Sequence, residues 1–497
     1  MKYLLELLSG SVTMYRMLLL ILLGHVGLSI LFAAFGVLPY SPLSLLLSAA
    51  VLMSVSYGSN WLIGRALKAR PHGESALITG LLLLFILTPR EDITGLLMLA
   101  VAALIATASK YVLVYKRRHI FNPAAAGALI AGLFGIAYGT WWVATPELFI
   151  FTALGAFLLL YKMRRLQMAA VFLAVAIPLI VTMAVVTGQS LALAMASLLS
   201  WPVVFFVGFM LSEPLTLPPR KHQQFFNAVL AGVLFALPVH LGTISSSPEL
   251  TLVIVNLIAF AFSVKGLIIL KLKDKRQLTP TSVEYIFEPQ RPLAFEAGQY
   301  AELMMQHHAD SRGQRRMLSV VSAPGEHTVR FGVKHAQQGS SFKKQLKKLR
   351  PGDVIKATTL AGDFVLPKNR AVPLLFIAGG IGITPYLSHL SWLSKQQEKR
   401  DVVLVYAATS ADELAYLAEL RQLPIKLIAV IPEGTVKGVD TATSPYVTQQ
   451  ILHDMVPNLQ NRQAYVSGPP LMVQAIKKAL KAEGVKKAVK TDYFTGY

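Results

Sequence analysis

The sequence predicts three parts in one chain: a polytopic α-helical membrane region over 1–272, a small antiparallel β-barrel over 276–370, and an α/β domain with a parallel sheet over 371–497. Three observations predict it. Of 497 residues, 54% are hydrophobic and only 15% are charged, where soluble domains carry about 25% charged residues. Long apolar runs fill the chain up to about residue 272, and short alternating runs with charges replace them afterwards. Finally, "LLFIAGGIGITPYLSHL", residues 374–390, reads as a strand that passes through a knot of glycines into a helix.

The apolar runs fall at 17–38, 42–64, 75–89, 93–109, 120–138, 146–161, 168–187, 190–211, 224–242 and 250–271. Ten crossings put both termini on one side. The N-terminal segment and the even-numbered connections hold fourteen Lys and Arg residues, among them Lys2, Arg16, Arg65, Lys110, Lys162 and Arg220; the odd-numbered connections hold only Arg90, beside Glu91 and Asp92. That bias places both ends in the cytoplasm of a multi-pass plasma (inner) membrane protein surrounded by lipid. It also accounts for the net charge of +21 without a nucleic-acid partner. The chain has no cysteine, which excludes disulfides and cysteine-ligated iron–sulfur clusters within it. No cleavable leader is expected, because the first apolar run is followed directly by others.

Two runs, 75–89 and 93–109, are short for a bilayer that needs about 20 residues per helix. The third run ends "FILTP" (85–89) and the eighth ends "FMLSEP" (209–214). These are equivalent positions if the ten helices form two sets of five, as in an inverted repeat with a central site. Two unrelated proline-terminated helices are the alternative. Haem b usually needs histidine pairs on facing helices, and only His25 and His240 lie within runs, each alone.

"HIFNPAAAGALIAG" (119–132) opens a helix with Asn-Pro and continues with small residues that let backbones approach closely. Together with "ALITGLLLLFILTP" and "FMLSEPLTLPP", it resembles the flavin-carrying membrane subunits (B and D) of the Na+-translocating NADH:quinone reductase and the Rnf complex. The resemblance spans most of 40–270 and implies FMN or riboflavin as a membrane-domain carrier. That family attaches FMN to a Thr in Ser-Gly-Ala-Thr, a sequence absent here; the nearest equivalent is Thr145 in "WVATPEL". Read from its own neighbours, Thr145 is a helix cap before Pro146.

From 276 onward "SVEYIFEP", "QYAELMMQH", "RRMLSVVS", "HTVRFGVKH" and "DVIKATTL" are short β-type runs between turns, the pattern of a small antiparallel barrel. After Pro373, "PLLFIAG", "DVVLVYAA", "IKLIAVIP" and "QAYVSG" each precede a helical stretch, as in a parallel sheet. Gly379, Gly380 and Gly382 end the first of these strands, where bare backbone N–H groups could meet a pyrophosphate. Thr384 is placed to cap the next helix or bond a phosphate, and Pro385 suits its first turn. The spacing is not Gly-x-Gly-x-x-Gly, so the loop alone is equally a plain strand–helix turn.

Six elements occur in order: "FEAGQY" (295–300), "RRMLSVVS" (315–322), "GSSFKKQL" (339–346), "GDFVLP" (362–367), "GGIGITP" (379–385) and "VSGPPLM" (466–472). The set resembles the ferredoxin–NADP reductase superfamily, an FAD-binding barrel followed by a nicotinamide-binding domain. The resemblance implies that Arg316 pairs with the FAD pyrophosphate, a task for a fixed bidentate cation, and that Met317, Leu318 and Ser319 line the flavin. Ser319 is the expected catalytic residue, its hydroxyl beside flavin N5; Leu318 stands where the family commonly has an aromatic. Gly339, Ser340 and Ser341 are expected on the pyrophosphate, and Gly468 and Pro469 beside the nicotinamide. The terminal "DYFTGY" is similar to the family's C-terminal aromatic segment, so Phe494 or Tyr497 either shields the flavin or packs in the core. NADH is expected over NADPH, because "YAATSADE" (406–413) contains no basic residue and Thr409 stands where the superfamily often has Arg.

These readings describe a membrane flavoprotein oxidoreductase that passes electrons from cytoplasmic NADH through FAD to a quinone or an extracytoplasmic acceptor. The alternative is a redox-driven cation-translocating module, which the scarcity of acidic residues in the apolar runs disfavours. A mere anchor needs far fewer than ten helices.

Overall fold

The computed structural model describes residues 12–68, 73–115, 118–238, 240–241, 244–262, 267–310, 313–335 and 339–493. The chain forms two compact units, Met1–Gly266 and Leu267–Tyr497. Their division precedes the expected boundary at 272 because residues 268–271, read as the end of an apolar run, open a β-strand.

Every apolar run contains helix: α1 (Met14–Ala34), α2 (Pro42–Ala66), α3 (Gly73–Ile86), α4 (Ile93–Val112), α5 (Pro123–Leu133), α6 (Pro146–Met163) and α7 (Leu166–Val186). The eighth run is broken into α8 (Leu191–Ser197), a tight turn through Ser200, and α9 (Val203–Phe205), which widens into a π-helix over Phe206–Leu211. α10 (Lys221–Ala236) and α11 (Pro248–Phe262) complete the unit. Among the described residues five helices, α1, α2, α4, α6 and α7, are long and apolar enough to cross a membrane, and the broken eighth run, bent by 48°, could make a sixth. The remaining apolar runs form shorter helices, among them α3, α5 and α11.

The shortening has local causes. α3 stops at Ile86, whose carbonyl accepts from the N–H groups of Thr140 and Trp141 at 2.8 and 2.9 Å, while Leu87 bridges Gly139. α5 starts late because the Asn122 Oδ1 caps it, accepting from the N–H groups of Ala124 and Ala125, with Pro123 in the first turn.

Packing partners recur with an offset of five runs. α1 packs on α2 and α3, and α6 packs on α7 and the broken run; α2 packs on α3 and α4, and α7 on the broken run and α10. α4 packs on α5 as α10 does on α11, and α3 touches α5 as the π-helix touches α11. Small residues allow the closest of these approaches. A Cβ at Gly127 would fall 2.3 Å from the Ala106 Cβ, and one at Gly208 would fall 2.3 Å from the Ala156 Cβ.

The second unit opens with an antiparallel sheet: β1 (Ile268–Gln277), β2 (Ser282–Pro289), β3 (Tyr300–Met304), β4 (Arg315–Ser319), β5 (Val329–Lys334) and β6 (Val354–Ala361) in the order β4-β3-β6-β1-β2-β5, with α12 (Ser341–Lys348) inserted before β6. β1 is the strand that sequence reading missed. Burial alternates along it as far as Leu272, the residue at which its register with β2 begins to shift.

A parallel six-stranded sheet follows: β7 (Leu374–Gly379), β8 (Val402–Ala407), β9 (Lys426–Ile431), β10 (Asp440–Thr443), β11 (Gln463–Gly468) and β12 (Lys490–Tyr493), ordered β10-β9-β8-β7-β11-β12. α13 (Thr384–Lys395), α14 (Leu417–Leu420), α15 (Gln449–Met455) and α16 (Pro470–Ala482) lie between the strands. The strands β10 and β12 were not expected. β7 is buried throughout, which explains its unbroken apolar run.

Candidate functional site

β4 carries Arg316 and Ser319, and its register with β3 sets Ser319 opposite Tyr300 and Arg316 opposite Leu303. The Arg316 guanidinium lies over the Phe342 ring at 5.5 Å and pairs with the Asp310 carboxylate at 4.0 Å. Ser340 caps α12, its hydroxyl accepting from the Lys343 N–H. The next residue, Ser341, donates its N–H to Asp310 at 2.9 Å, and its hydroxyl accepts from the Asp310 N–H at 2.9 Å and lies 3.0 Å from His307 Nε2. Gly339 directly precedes this cap. The structure thus brings Arg316, Ser340 and Ser341 together, and the Arg316 guanidinium and Ser341 N–H already face an anion, the Asp310 carboxylate. This donor set fits a pyrophosphate. His307 and Asp310 were not anticipated; "HHAD" carries no spacing signal that singles them out.

Ser319, 5% exposed, donates from its hydroxyl to Asp492 Oδ2 at 3.2 Å. Asp492 lies on β12 opposite Ser467 of β11, and Ser467 in turn stands opposite Ala378 of β7. The Ser467 hydroxyl is buried without a hydrogen-bond partner. This hydroxyl and carboxylate form one of the contacts between barrel and parallel sheet. On the same strand as Ser319, Met317 is 59% exposed and Leu318 is half-buried.

The glycine turn is closely packed. A Cβ at Gly379 would fall 2.2 Å from the Met472 sulfur, and one at Gly382 would fall 2.5 Å from the Ser467 carbonyl oxygen. Those contacts bring the turn after β7 against Gly468 and Pro469, which precede α16. Gly380 alone, at φ +53°, faces open space. Thr384 does not cap α13: it is the first residue of that helix, and its buried hydroxyl donates to the Ile381 carbonyl at 3.1 Å. Pro385 sits in the first turn as expected. Phe494 and Tyr497 lie outside the described residues.

Two carboxylates of the α/β part hold the barrel. Glu419 on α14 pairs with Arg276 and, at 3.4 Å, with Arg330; both arginines also reach the buried Glu284 of β2. Glu413 accepts from the Thr281 hydroxyl at 2.5 Å and pairs with Lys334. His389 of α13 is fully buried under Gly298, stacked on Phe364, with its Nε2 3.1 Å from the Ala297 carbonyl. Burial pushes its pKa down to about 3.

In the first unit Thr145 occupies the position before α6, but its side chain makes no cap bond, and its hydroxyl oxygen is buried without a hydrogen-bond partner. The expected cap is not made. "FNPA" and "FMLSEP" meet: Asn122 Nδ2 donates to Glu213 Oε2 at 2.9 Å. Both residues line a cavity of about 40 Å³ together with Ser75, Thr79, Phe209 and Ser212. His25 bonds the Ile21 carbonyl on its own helix and packs edge-on against Phe85 and Phe209.

Residues 376–478 match the family described as the oxidoreductase NAD-binding domain. The NADH oxidoreductase HCR of Escherichia coli (strain K12) is 26% identical over 204 residues, 40% of this chain and 60% of that protein. The electron transfer component of 2-halobenzoate 1,2-dioxygenase from Burkholderia cepacia is 33% identical over 204 residues, 39% of this chain and 57% of that protein. A flavohemoprotein of Bacillus subtilis (strain 168) is 28% identical over 222 residues, 43% and 54% respectively. The chain spans little more than half the length of these relatives. The C-terminal half of the chain is thus similar to NAD(P)H-dependent flavin oxidoreductases, with residues 376–478 matching their NAD-binding domain.

Proposed function

We propose that the whole protein moves electrons from cytoplasmic NADH through FAD into or across the plasma membrane, to a quinone or an extracytoplasmic acceptor. FAD supplies the chemistry of accepting two electrons as hydride and releasing them singly. Arg316 and the Ser341 N–H would hold its pyrophosphate, in the place the Asp310 carboxylate now takes. Ser319 and Asp492 hold a proton-bearing hydroxyl where barrel and parallel sheet meet. The close-packed turns at Gly379–Gly382 and Gly468–Pro469 bring the ends of neighbouring strands to the nicotinamide side.

The observation that carries the membrane part is the recurrence of packing partners at an offset of five runs, with a short helix and a broken one at equivalent places. It supports an inverted repeat built around a carrier rather than an anchor. FMN or riboflavin is the carrier proposed for it, and Thr145, whose hydroxyl is buried and bonds nothing, remains the attachment point proposed for FMN. The fourteen-to-one charge bias supports both termini facing the cytoplasm. A redox-driven cation translocator is the second reading, favoured by the Glu213 carboxylate beside Asn122 in the cavity, an acidic group sequence reading had not placed there.

Purified full-length protein tests the proposal. Acid extraction should yield FAD and a second flavin, and NADH should bleach both. Release of FAD alone removes the membrane carrier.

A further inference from the structure

We propose that the outer face of β1 and β6, with the C-terminal end of α12, is a docking surface for the anionic phospholipid headgroups of the membrane leaflet. The inference rests on the membrane reading above. Register places Lys271 beside Val354 and Ile269 beside Lys356. Lys271 and Lys273 are exposed, and so are two aliphatic side chains among them, Ile269 at 36% and Val354 at 56%. Next to this face, Lys275 donates its ammonium to the Lys347 carbonyl, joining the strand to α12, where Lys344, Lys347 and Lys348 are exposed, as is Arg350 just beyond. The acidic groups in this surface are Asp274, Glu288, which pairs with Lys273 at 3.1 Å, and Asp353. Basic residues outnumber them by more than two to one.

Charge alone would also suit an acidic protein. Two features favour lipid. Lysines interleaved with exposed aliphatic side chains match a headgroup layer over acyl chains, where the stems lie along apolar surface and the ammonium groups reach phosphate. In addition, β1 is the first element the chain builds after its last apolar helix, and basic clusters immediately following a membrane helix are drawn to anionic leaflets.

The chain has no native cysteine, so a fluorophore on Val354→Cys reports this face alone. The full chain is reconstituted into nanodiscs of phosphatidylcholine, with or without phosphatidylglycerol, each carrying a headgroup quencher. The proposal expects quenching several-fold stronger with phosphatidylglycerol, lost on adding salt and in the Lys271→Glu/Lys347→Glu/Lys348→Glu variant. A label on Tyr446→Cys, 75% exposed on the α/β part, should respond to neither. A chain that inserts but shows equal quenching in both lipids overturns the inference and leaves the membrane reading standing. A chain that stays soluble without lipid overturns both. A label indifferent to phosphatidylglycerol but perturbed by an acidic protein assigns the face to that class of partner instead.

Discussion

The Ser319 hydroxyl and the Asp492 carboxylate, 173 residues apart in sequence, lie 3.2 Å apart. This bond joins the fourth barrel strand to the last strand of the parallel sheet, the seam at which a flavin and a nicotinamide would meet. Asp492→Ala leaves the Ser319 hydroxyl unoriented. We expect it to slow bleaching of bound FAD by NADH about tenfold, the worth of one ordinary hydrogen bond, with FAD occupancy unchanged. Stopped-flow absorbance of the full chain in detergent measures this, and an unaltered rate removes Asp492 from the site.

Arg316 sits over Phe342 with the Asp310 carboxylate at 4.0 Å. Arg316→Ala should weaken FAD binding about 100-fold, because charge-assisted bonds to phosphate contribute roughly 1.5–3 kcal/mol each. Arg316→Lys should fall between the two, lacking the forked geometry. Flavin titration decides; full occupancy in the alanine variant would show that the pyrophosphate lies elsewhere.

Thr409 is exposed beyond the end of β8, in a stretch with no basic residue. NADH should be the better donor, and Thr409→Arg should shift the NADPH-to-NADH ratio of kcat/KM upward by about tenfold through one new phosphate contact. A wild-type preference for NADPH contradicts this assignment.

His389 gives the reductase unit a defined acid lability. Burial holds its folded pKa down to about 3, against an ordinary value of 6.5, so only the unfolded chain takes up a proton between these values. Stability is therefore intact above pH 6.5 and declines as pH falls toward 3, by about 1.4 kcal/mol per pH unit from this group. His389→Gln, even if less stable overall, should flatten the slope of melting temperature against pH. An unchanged slope assigns the acid sensitivity to other groups.

How much was legible follows from which signals are local. Among the described residues, apolar runs located every helical stretch of the first unit, because hydropathy needs no partner. The short reading held at 75–89, but lengths misled at 93–109, which forms the 20-residue α4, and at 120–138, where the Asn122 cap starts an 11-residue helix. β1 was hidden because "GLIIL" continues the apolar character of α11 and the alternation shows only from Lys271. Arg316, Ser340 and Ser341 were found as an ordered motif and do converge. Asp492 was missed because "DYFTGY" was read for its aromatics, and nothing in a single strand reveals which carboxylate will face a serine on another sheet. Gly379 and Gly382 were read toward a ligand, and their bareness is also needed against Met472 and Ser467. Such contacts exist only once β7 and β11 are neighbours.

We propose that the reductase unit feeds electrons across a membrane that holds the first unit. The full chain should be reconstituted into sealed vesicles with its reductase unit outside, and a membrane-impermeant acceptor should be trapped in the lumen. External NADH should reduce the trapped acceptor, and Thr145→Val should slow this without altering the bleaching of FAD. Reduction confined to acceptors on the NADH side would contradict it and leave a reductase serving the near face or the quinone pool.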